Sequence, residues 1–380
     1  MWWVLTFLVL SSCAGRETYV EKTSPPPVLE QKRREPSVRV LVKKNLKNLT
    51  ISEGDYVIKT TEGDIVSLGD RTISVRAEKG LLIDGEKRFG GELLLVSRVP
   101  VSIDGVLYSG RVVFHPTDRG IDIIDQINVE RYIASVLKSE IPNSFAFNAK
   151  KAIAVAVRSY TFYRMEQGKA DYYHLDNSNI SQVYRGVDGI EDEFVRAAEE
   201  TRGMVVTYRG KSALTVYHAT CGGYTENAFD VWQTDLPYLR SVSCGYCNNS
   251  PGFRWLLDIV PGDFMRFLKK GEVRGERLVS LGVGVVTRTG RVRTLRVSTD
   301  TGTWEVPSSR LRADIGYSVM KSVNFSVKMR EDMISISGKG YGHGVGLCQY
   351  GADGMASRGF GFVEILQHYY GSEIDIDTYY

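Results

Sequence analysis

The stretch that most restricts the fold of this chain is Ala152-Ile153-Ala154-Val155-Ala156-Val157. It lies in a segment that reads as helix from about residue 148 to residue 167. Six successive residues cover every side of a helix, so this one is apolar all round. Such a helix belongs in the middle of a domain, with other elements packed around it. Its end is marked by Gly168. A preceding helix begins at Asn128, a good N-cap with Glu130 and Arg131 in the first turns, and stops by Ile141, because Pro142 disfavours helical geometry in the residue before it. A third helix fits residues 191–202 and closes at Gly203. Short strands flank this block: Val38-Arg39-Val40-Leu41-Val42, Leu93-Leu94-Leu95-Val96 and Arg111-Val112-Val113-Phe114 before it, Met204-Val205-Val206-Thr207-Tyr208 and Ala213-Leu214-Thr215-Val216-Tyr217 after it. Strands, then helices, then strands again predict an α+β protein, mixed strands around a buried Ala-rich helix, and not a doubly wound sheet.

The ends of the chain read differently. Residues 2–10 (WWVLTFLVL) form an apolar run too short for a membrane helix and of the length of a signal-peptide core. It leads into Leu10-Ser11-Ser12-Cys13-Ala14, which resembles a bacterial lipobox. That makes 1–12 a lipoprotein signal peptide and Cys13 the lipidated first residue of the mature protein, located in the periplasm or on the outer face of the cytoplasmic membrane; the alternative is a buried strand with a structural cysteine. Residues 13–37, charged from Arg16 onward and interrupted by Pro25-Pro26-Pro27, read as a flexible tether. Order is expected from Val38: a β-rich part at 38–127, a core at 128–260, a mixed basic insert or subdomain at 261–335, and a glycine-rich part at 336–380. A net charge of +3 is too small to argue for nucleic acid as a partner.

Several residues carry chemistry on their own terms. His218-x-x-Cys221 and Cys244-x-x-Cys247 form two chelating pairs whose spacing suits a closed, tetrahedral, structural zinc. A disulfide is the competing reading for cysteines in an exported protein. Cys348 reads as a small buried residue without a chemical role. Arg158 stands on an otherwise apolar helix and needs an acidic or carbonyl partner; it either orients a group of the active site or ties helix to sheet. Gly338, Gly340, Gly342, Gly344 and Gly346 fall at period two. An extended backbone here would present one bare face for close approach of another segment, with Lys339, Tyr341, His343, Val345 and Leu347 on the other. His343 would then face the cleft as a hydrogen-bonding group or a second acid/base. The run lacks the Gly-Lys-Ser/Thr ending of a phosphate loop.

Four blocks occur in order: residues 130–160, containing Glu140-Ile141-Pro142 and Arg158-Ser159-Tyr160; Ser181-Gln182-Val183-Tyr184; Tyr217-His218 with Gly222-Gly223-Tyr224-Thr225-Glu226; and residues 340–351, GYGHGVGLCQYG. Together they resemble the SpoIID/LytB family over roughly residues 38–375. The resemblance implies a SpoIID-like catalytic domain with an inserted mixed segment and a peptidoglycan lytic transglycosylase activity. Such an enzyme breaks the bond between N-acetylmuramic acid and N-acetylglucosamine and leaves a 1,6-anhydro sugar. It selects Glu140 as the catalytic carboxyl. Hydrolysing glycosidases normally use two carboxylates; a lytic reaction, in which the sugar's own hydroxyl attacks, can use one. At a helix C-terminus, near Ile141 and Phe145, Glu140 should have a raised pKa and be held as an acid. Arg158, Gln182, Tyr184, Tyr217, Tyr341, His343 and Gln349 are the candidate substrate contacts, the tyrosine faces and amides being suited to pyranose rings. No organic cofactor is implied. Expected partners are glycan strands, the membrane through the lipid, and a cell-wall amidase. Two other readings are a non-catalytic peptidoglycan binder that stimulates an amidase, and a zinc amidase, which would require an open metal position.

Overall fold

A computed structural model of the protein describes residues 35–79, 81–168, 172–177 and 182–380. The segments expected to be a signal peptide and a tether, with Cys13, lie outside the described residues as far as residue 34, as does Ser181.

The strand Ser37–Leu46 pairs antiparallel with Gly120–Asn128, at the side of a seven-stranded sheet. From one edge its strands are Leu175–Asp176, Ser37–Leu46, Gly120–Asn128, Arg111–Thr117, Leu93–Ser97, Tyr56–Thr60 and Ile65–Ser67. The strand Gly120–Asn128 is covered on both faces; Ile121, Ile123, Ile124 and Ile127 are all fully buried. A second, four-stranded sheet is built from Asn48–Ile51, Ile73–Glu78, Leu81–Asp84 and Lys87–Phe89.

The chain passes straight from sheet to helix at Asn128. Its side chain accepts from the backbone N–H groups of Glu130 (3.0 Å) and Arg131 (3.1 Å), and α1 runs Val129–Glu140. Ile141 is extended, as the following proline requires. Helix α2 is Phe147–Gln167, closed by Gly168 in the left-handed conformation. Every residue from Ala152 to Phe162 is buried, and α2 packs against α1, α3 (Asp192–Glu200), the strand Met204–Tyr208 and two C-terminal helices, 349–356 and 362–370. The α+β class and its central Ala-rich helix are as expected. With Ile153 fully buried, Ile153→Ala should cost ~2–5 kcal/mol, read as a lower denaturant midpoint with an unchanged slope.

Further short helices follow in chain order: α4 (Ala228–Trp232), α5 (Pro261–Lys269), α6 (Ser308–Ile315), α7 (Gln349–Ala356) and α8 (Phe362–Tyr370). Helices α5 and α6, with the sheets 254–259/334–339/325–329 and 278–283/294–299/302–307, enclose a separate apolar core around Phe264, Leu295, Val297 and Ile336. The insert therefore has a core of its own inside the compact unit 35–380.

Two local expectations fail for physical reasons. The strand expected at 213–217 is broken. Pairing stops after Ala213, whose N–H still donates to the Val206 carbonyl (3.0 Å): Leu214 N–H turns to the Tyr238 hydroxyl (3.0 Å) and Thr215 Oγ1 donates to the Ala156 carbonyl (2.7 Å), and pairing resumes at Tyr217–His218, parallel to Leu347–Cys348. The glycine run is not a flat extended strand either. The strand Ile334–Lys339 ends there, and Gly340, Gly342, Gly344 and Gly346 all have positive φ. Close approach is nonetheless real: a Cβ at Gly342 would lie 2.6 Å from that of His218, and one at Gly344 would lie 2.4 Å from the Arg291 guanidinium.

Candidate active site around Glu140

Glu140 is the last residue of α1, half-buried, with each carboxylate oxygen held by a different part of the chain. The Val183 N–H donates to Oε1 at 2.9 Å and the Gln349 amide Nε2 donates to Oε2 at 3.3 Å. Burial pushes its pKa above the ordinary glutamate range; the two hydrogen bonds and the nearby Arg185 cation oppose that shift without cancelling it. The direction is the one expected from the sequence. Tyr217 feels the Glu140 charge: its pKa lies far above the usual value, through burial first and that charge second.

The corner that follows Glu140 is pinned on three sides. Fully buried Lys150 donates to the Asn143 carbonyl (2.6 Å) and side chain (3.0 Å) and pairs with Glu193. Ala146 N–H donates to Asp353 Oδ1 on α7 at 2.8 Å, and Tyr350 packs edge-on against Phe145. Helix α7 therefore both supplies Gln349 and grips the turn behind the acid.

The segment carrying Val183 is strapped down in the same way. Gln182 accepts from the Tyr132 hydroxyl (2.9 Å) and Thr161 (3.1 Å), and its amide donates to the Val157 carbonyl (3.1 Å). Tyr184 is buried, with its hydroxyl on Asp125 at 2.5 Å. These two are corrected from substrate contacts to supports: neither has a free polar group to offer, and what they position is the Val183 N–H between them.

Arg158 is likewise corrected. It is fully buried, forks onto Glu130 through Nε (2.9 Å) and Nη2 (2.5 Å), and donates to the carbonyls of Ala198 and Met204, both at 3.1 Å. It ties α2 to the start of α1 and the end of α3, the second of the roles open to it from sequence.

His343 is corrected from acid/base to a positioning group. Val345 N–H donates to Nδ1 (3.1 Å), so the proton sits on Nε2, which donates to the Tyr217 carbonyl (2.9 Å). Burial pushes its pKa down to about 4, so it is neutral near pH 7. Nitrogen NMR should show one Nε2–H tautomer of His343 from pH 5 to pH 8, with no titration in that window. Tyr341 is half-buried, bridged to Thr220 with Lys321 over its ring.

His218 does not join the cysteines: its Nδ1 meets the Val345 carbonyl at 3.0 Å and its ring packs against His343. The fourth member beside Cys221, Cys244 and Cys247 is Cys348, the residue assigned no chemistry from sequence. Two further residues, Arg291 and the motif residue Glu226, were given no role from sequence. Buried Arg291 of the insert donates to the carbonyls of Cys221 (2.9 Å) and Tyr224 (3.0 Å), and fully buried Glu226 accepts from Thr287 (2.6 Å). Nothing in their spacing announces that the insert locks onto the 221–226 segment. Arg185 was also missed, since an exposed arginine in a loop carries no signal until its carboxylate neighbour is known.

The geometry thus defines an α+β domain with a pKa-raised carboxyl presented at the end of a rigid helix. Comparison with known proteins agrees with the motifs. Residues 117–208, which span Glu140, Arg158 and Tyr184, match the SpoIID family, described as Stage II sporulation protein. An uncharacterized protein of Brachyspira hyodysenteriae is 29% identical over 84% of this chain and 86% of its own length. Stage II sporulation protein D of Bacillus subtilis is 28% identical over 79% of this chain and 86% of its own. Amidase enhancer of Bacillus subtilis is 28% identical over 71% of this chain and 44% of its own length. The chain is thus similar to SpoIID/LytB proteins, in the matched segment 117–208 and along most of its length.

Proposed function

We propose that the protein is a peptidoglycan lytic transglycosylase in which Glu140 is general acid and then general base. The observation that carries this reading is the Glu140 carboxyl, raised in pKa by burial yet held by donors on both oxygens. As an acid it gives its proton to the glycosidic oxygen as the bond from the N-acetylmuramic acid C1 breaks. The resulting carboxylate, steadied by Val183 N–H and the Gln349 amide, takes the proton from the same sugar's C6 hydroxyl as that oxygen bonds to C1. One carboxyl is thereby restored, no water is consumed, and the product is the 1,6-anhydro sugar.

The test is incubation with purified peptidoglycan and with peptide-stripped glycan strands, followed by mass spectrometry of the released sugars. Anhydro-muramic ends support the proposal. The relative named Amidase enhancer favours a second reading, a binder that stimulates a cell-wall amidase; intact strands with clear binding, and faster amidase turnover when the protein is added, would select it.

The pH dependence has a defined sign. The acid form starts the reaction, so kcat/KM falls as pH rises through the raised pKa of Glu140. Gln349→Ala removes a bond that favours the carboxylate, and the pKa rises further. A pH–rate profile should show the alkaline limb of this variant displaced to higher pH.

The exported, lipid-anchored location indicated by residues 1–13 belongs to the same proposal. Labelled fatty acid should enter the wild-type protein and not Cys13→Ala.

A further inference from the structure

Cys221, Cys244, Cys247 and Cys348 arrive from three separate parts of the chain: the segment just after the strand Tyr217–His218, the loop after residue 243, and the N-cap of α7. Their sulfurs all lie within 4.8 Å of one another, and all four residues are essentially inaccessible. None is in a disulfide; the Cys221 and Cys247 sulfurs are 3.5 Å apart, well beyond the ~2.05 Å of an S–S bond. Four sulfurs around one ion at the usual zinc–sulfur distance would stand about 3.8 Å from each other, a spacing that lies between the 3.5 Å of Cys221 and Cys247 and the 4.8 Å that bounds the set.

The surroundings fit thiolates and not merely packed thiols. Backbone N–H groups point at two of the sulfurs: Gly223 donates to Cys221 Sγ (3.4 Å), and Cys221 and Gly351 donate to Cys348 Sγ (each 3.3 Å). The Tyr369 hydroxyl lies 3.1 Å from Cys244 Sγ. These are the outer-shell contacts that orient metal ligands. Space is reserved as well: a Cβ at Gly351 would fall 2.7 Å from Cys244 Sγ and still closer to the Tyr369 hydroxyl, so only glycine leaves the sulfur where it is.

We propose that these four cysteines bind one zinc ion as a closed, structural, all-cysteine site, with Cys348 and not His218 as the fourth ligand. Zinc follows from four soft sulfur donors gathered in one compact, buried set. Four protein ligands leave no position for water, so the site does not serve the zinc-amidase reading. Its place in the chain explains what it would hold together. Cys348 immediately precedes Gln349, whose amide holds Glu140, and Cys221 follows the strand that carries Tyr217. In the terms of the function proposed above, the ion fastens the floor on which the acid's neighbours stand; the metal assignment itself does not depend on that function.

The test uses the full chain purified without chelators. Elemental analysis should give about one zinc per protein. His218→Ala should keep that zinc, and Cys348→Ser should lose most of it. If Cys348→Ser fails to fold, cobalt exchange into the wild type decides: intense near-ultraviolet sulfur-to-cobalt absorption with tetrahedral visible bands supports four thiolates. Stripping the zinc should lower the melting temperature by on the order of 10 °C. Zinc kept by Cys348→Ser and lost by His218→Ala would overturn the ligand set. A zinc-free protein whose intact mass is lower by the hydrogens of one or two disulfides would overturn the site.

Discussion

Glu140→Gln is expected to reduce glycan-strand cleavage by about 10²–10⁴-fold while KM changes by no more than a few fold. The amide has the shape of the acid and can still meet Val183 N–H, but it has no proton to give. Loss in kcat with little change in KM would mark a group that acts in the transition state and not in binding. The same substitution has a stability signature of defined sign. The pKa of Glu140 is raised in the folded protein, so between the unfolded value, about 4.3, and the folded one the native state holds a proton that the unfolded chain has released. Folding is therefore penalised as pH rises through that window, and fully so above it. Thermal melts should find Glu140→Gln more stable than wild type at pH 8 and equal to it near pH 4. A more stable yet inactive variant is the behaviour of a carboxyl kept in place for chemistry.

Arg158→Met is expected to cost about 3–5 kcal/mol, lowering the melting temperature by roughly 5–10 °C. The cause is what stays behind: Glu130 is 2% exposed and would lose the guanidinium that neutralises it, while Ala198 and Met204 carbonyls lose a donor. Converting Glu130 to Gln in the same chain removes the stranded charge and should recover part of the loss, because the amide oxygen can still accept from Gly203 N–H. At a temperature where Arg158→Met is folded, its KM for glycan strands should match wild type, since the guanidinium is 0% exposed. A large rise in KM in the folded variant would return Arg158 to the substrate-contact role.

The sequence made the skeleton readable wherever one residue's backbone chemistry decides the outcome. Asn128 capping α1, Pro142 ending it, Gly168 closing α2 and the all-apolar run in α2 each act locally, and each is where the reading put it. Glu140 was legible through the family motif, with the sense of its pKa following from the helix end and the apolar neighbours. What stayed hidden depends on which way a side chain turns after the chain has folded. Gln182 and Tyr184 sit in a motif that suggests sugar contacts, yet both turn inward onto Val157, Tyr132 and Asp125, and it is the peptide N–H between them that reaches the acid. Cys348 lies more than 100 residues from its sulfur neighbours, so spacing favoured the nearer His218, which the folded chain points at Val345 instead. The glycine period of two signalled close approach correctly, but positive φ at Gly340, Gly342, Gly344 and Gly346 is a second reason for glycine that an alternating pattern does not distinguish.

The central claim is that one carboxyl, Glu140, suffices because the sugar attacks itself. Cleavage of glycan strands in water enriched in oxygen-18 tests it most directly. The account predicts muramic ends that carry no heavy oxygen and are lighter than hydrolysis products by one water, formed by wild type and absent with Glu140→Gln. Muramic ends heavier by one oxygen-18 would show that water is the nucleophile, and would contradict the account.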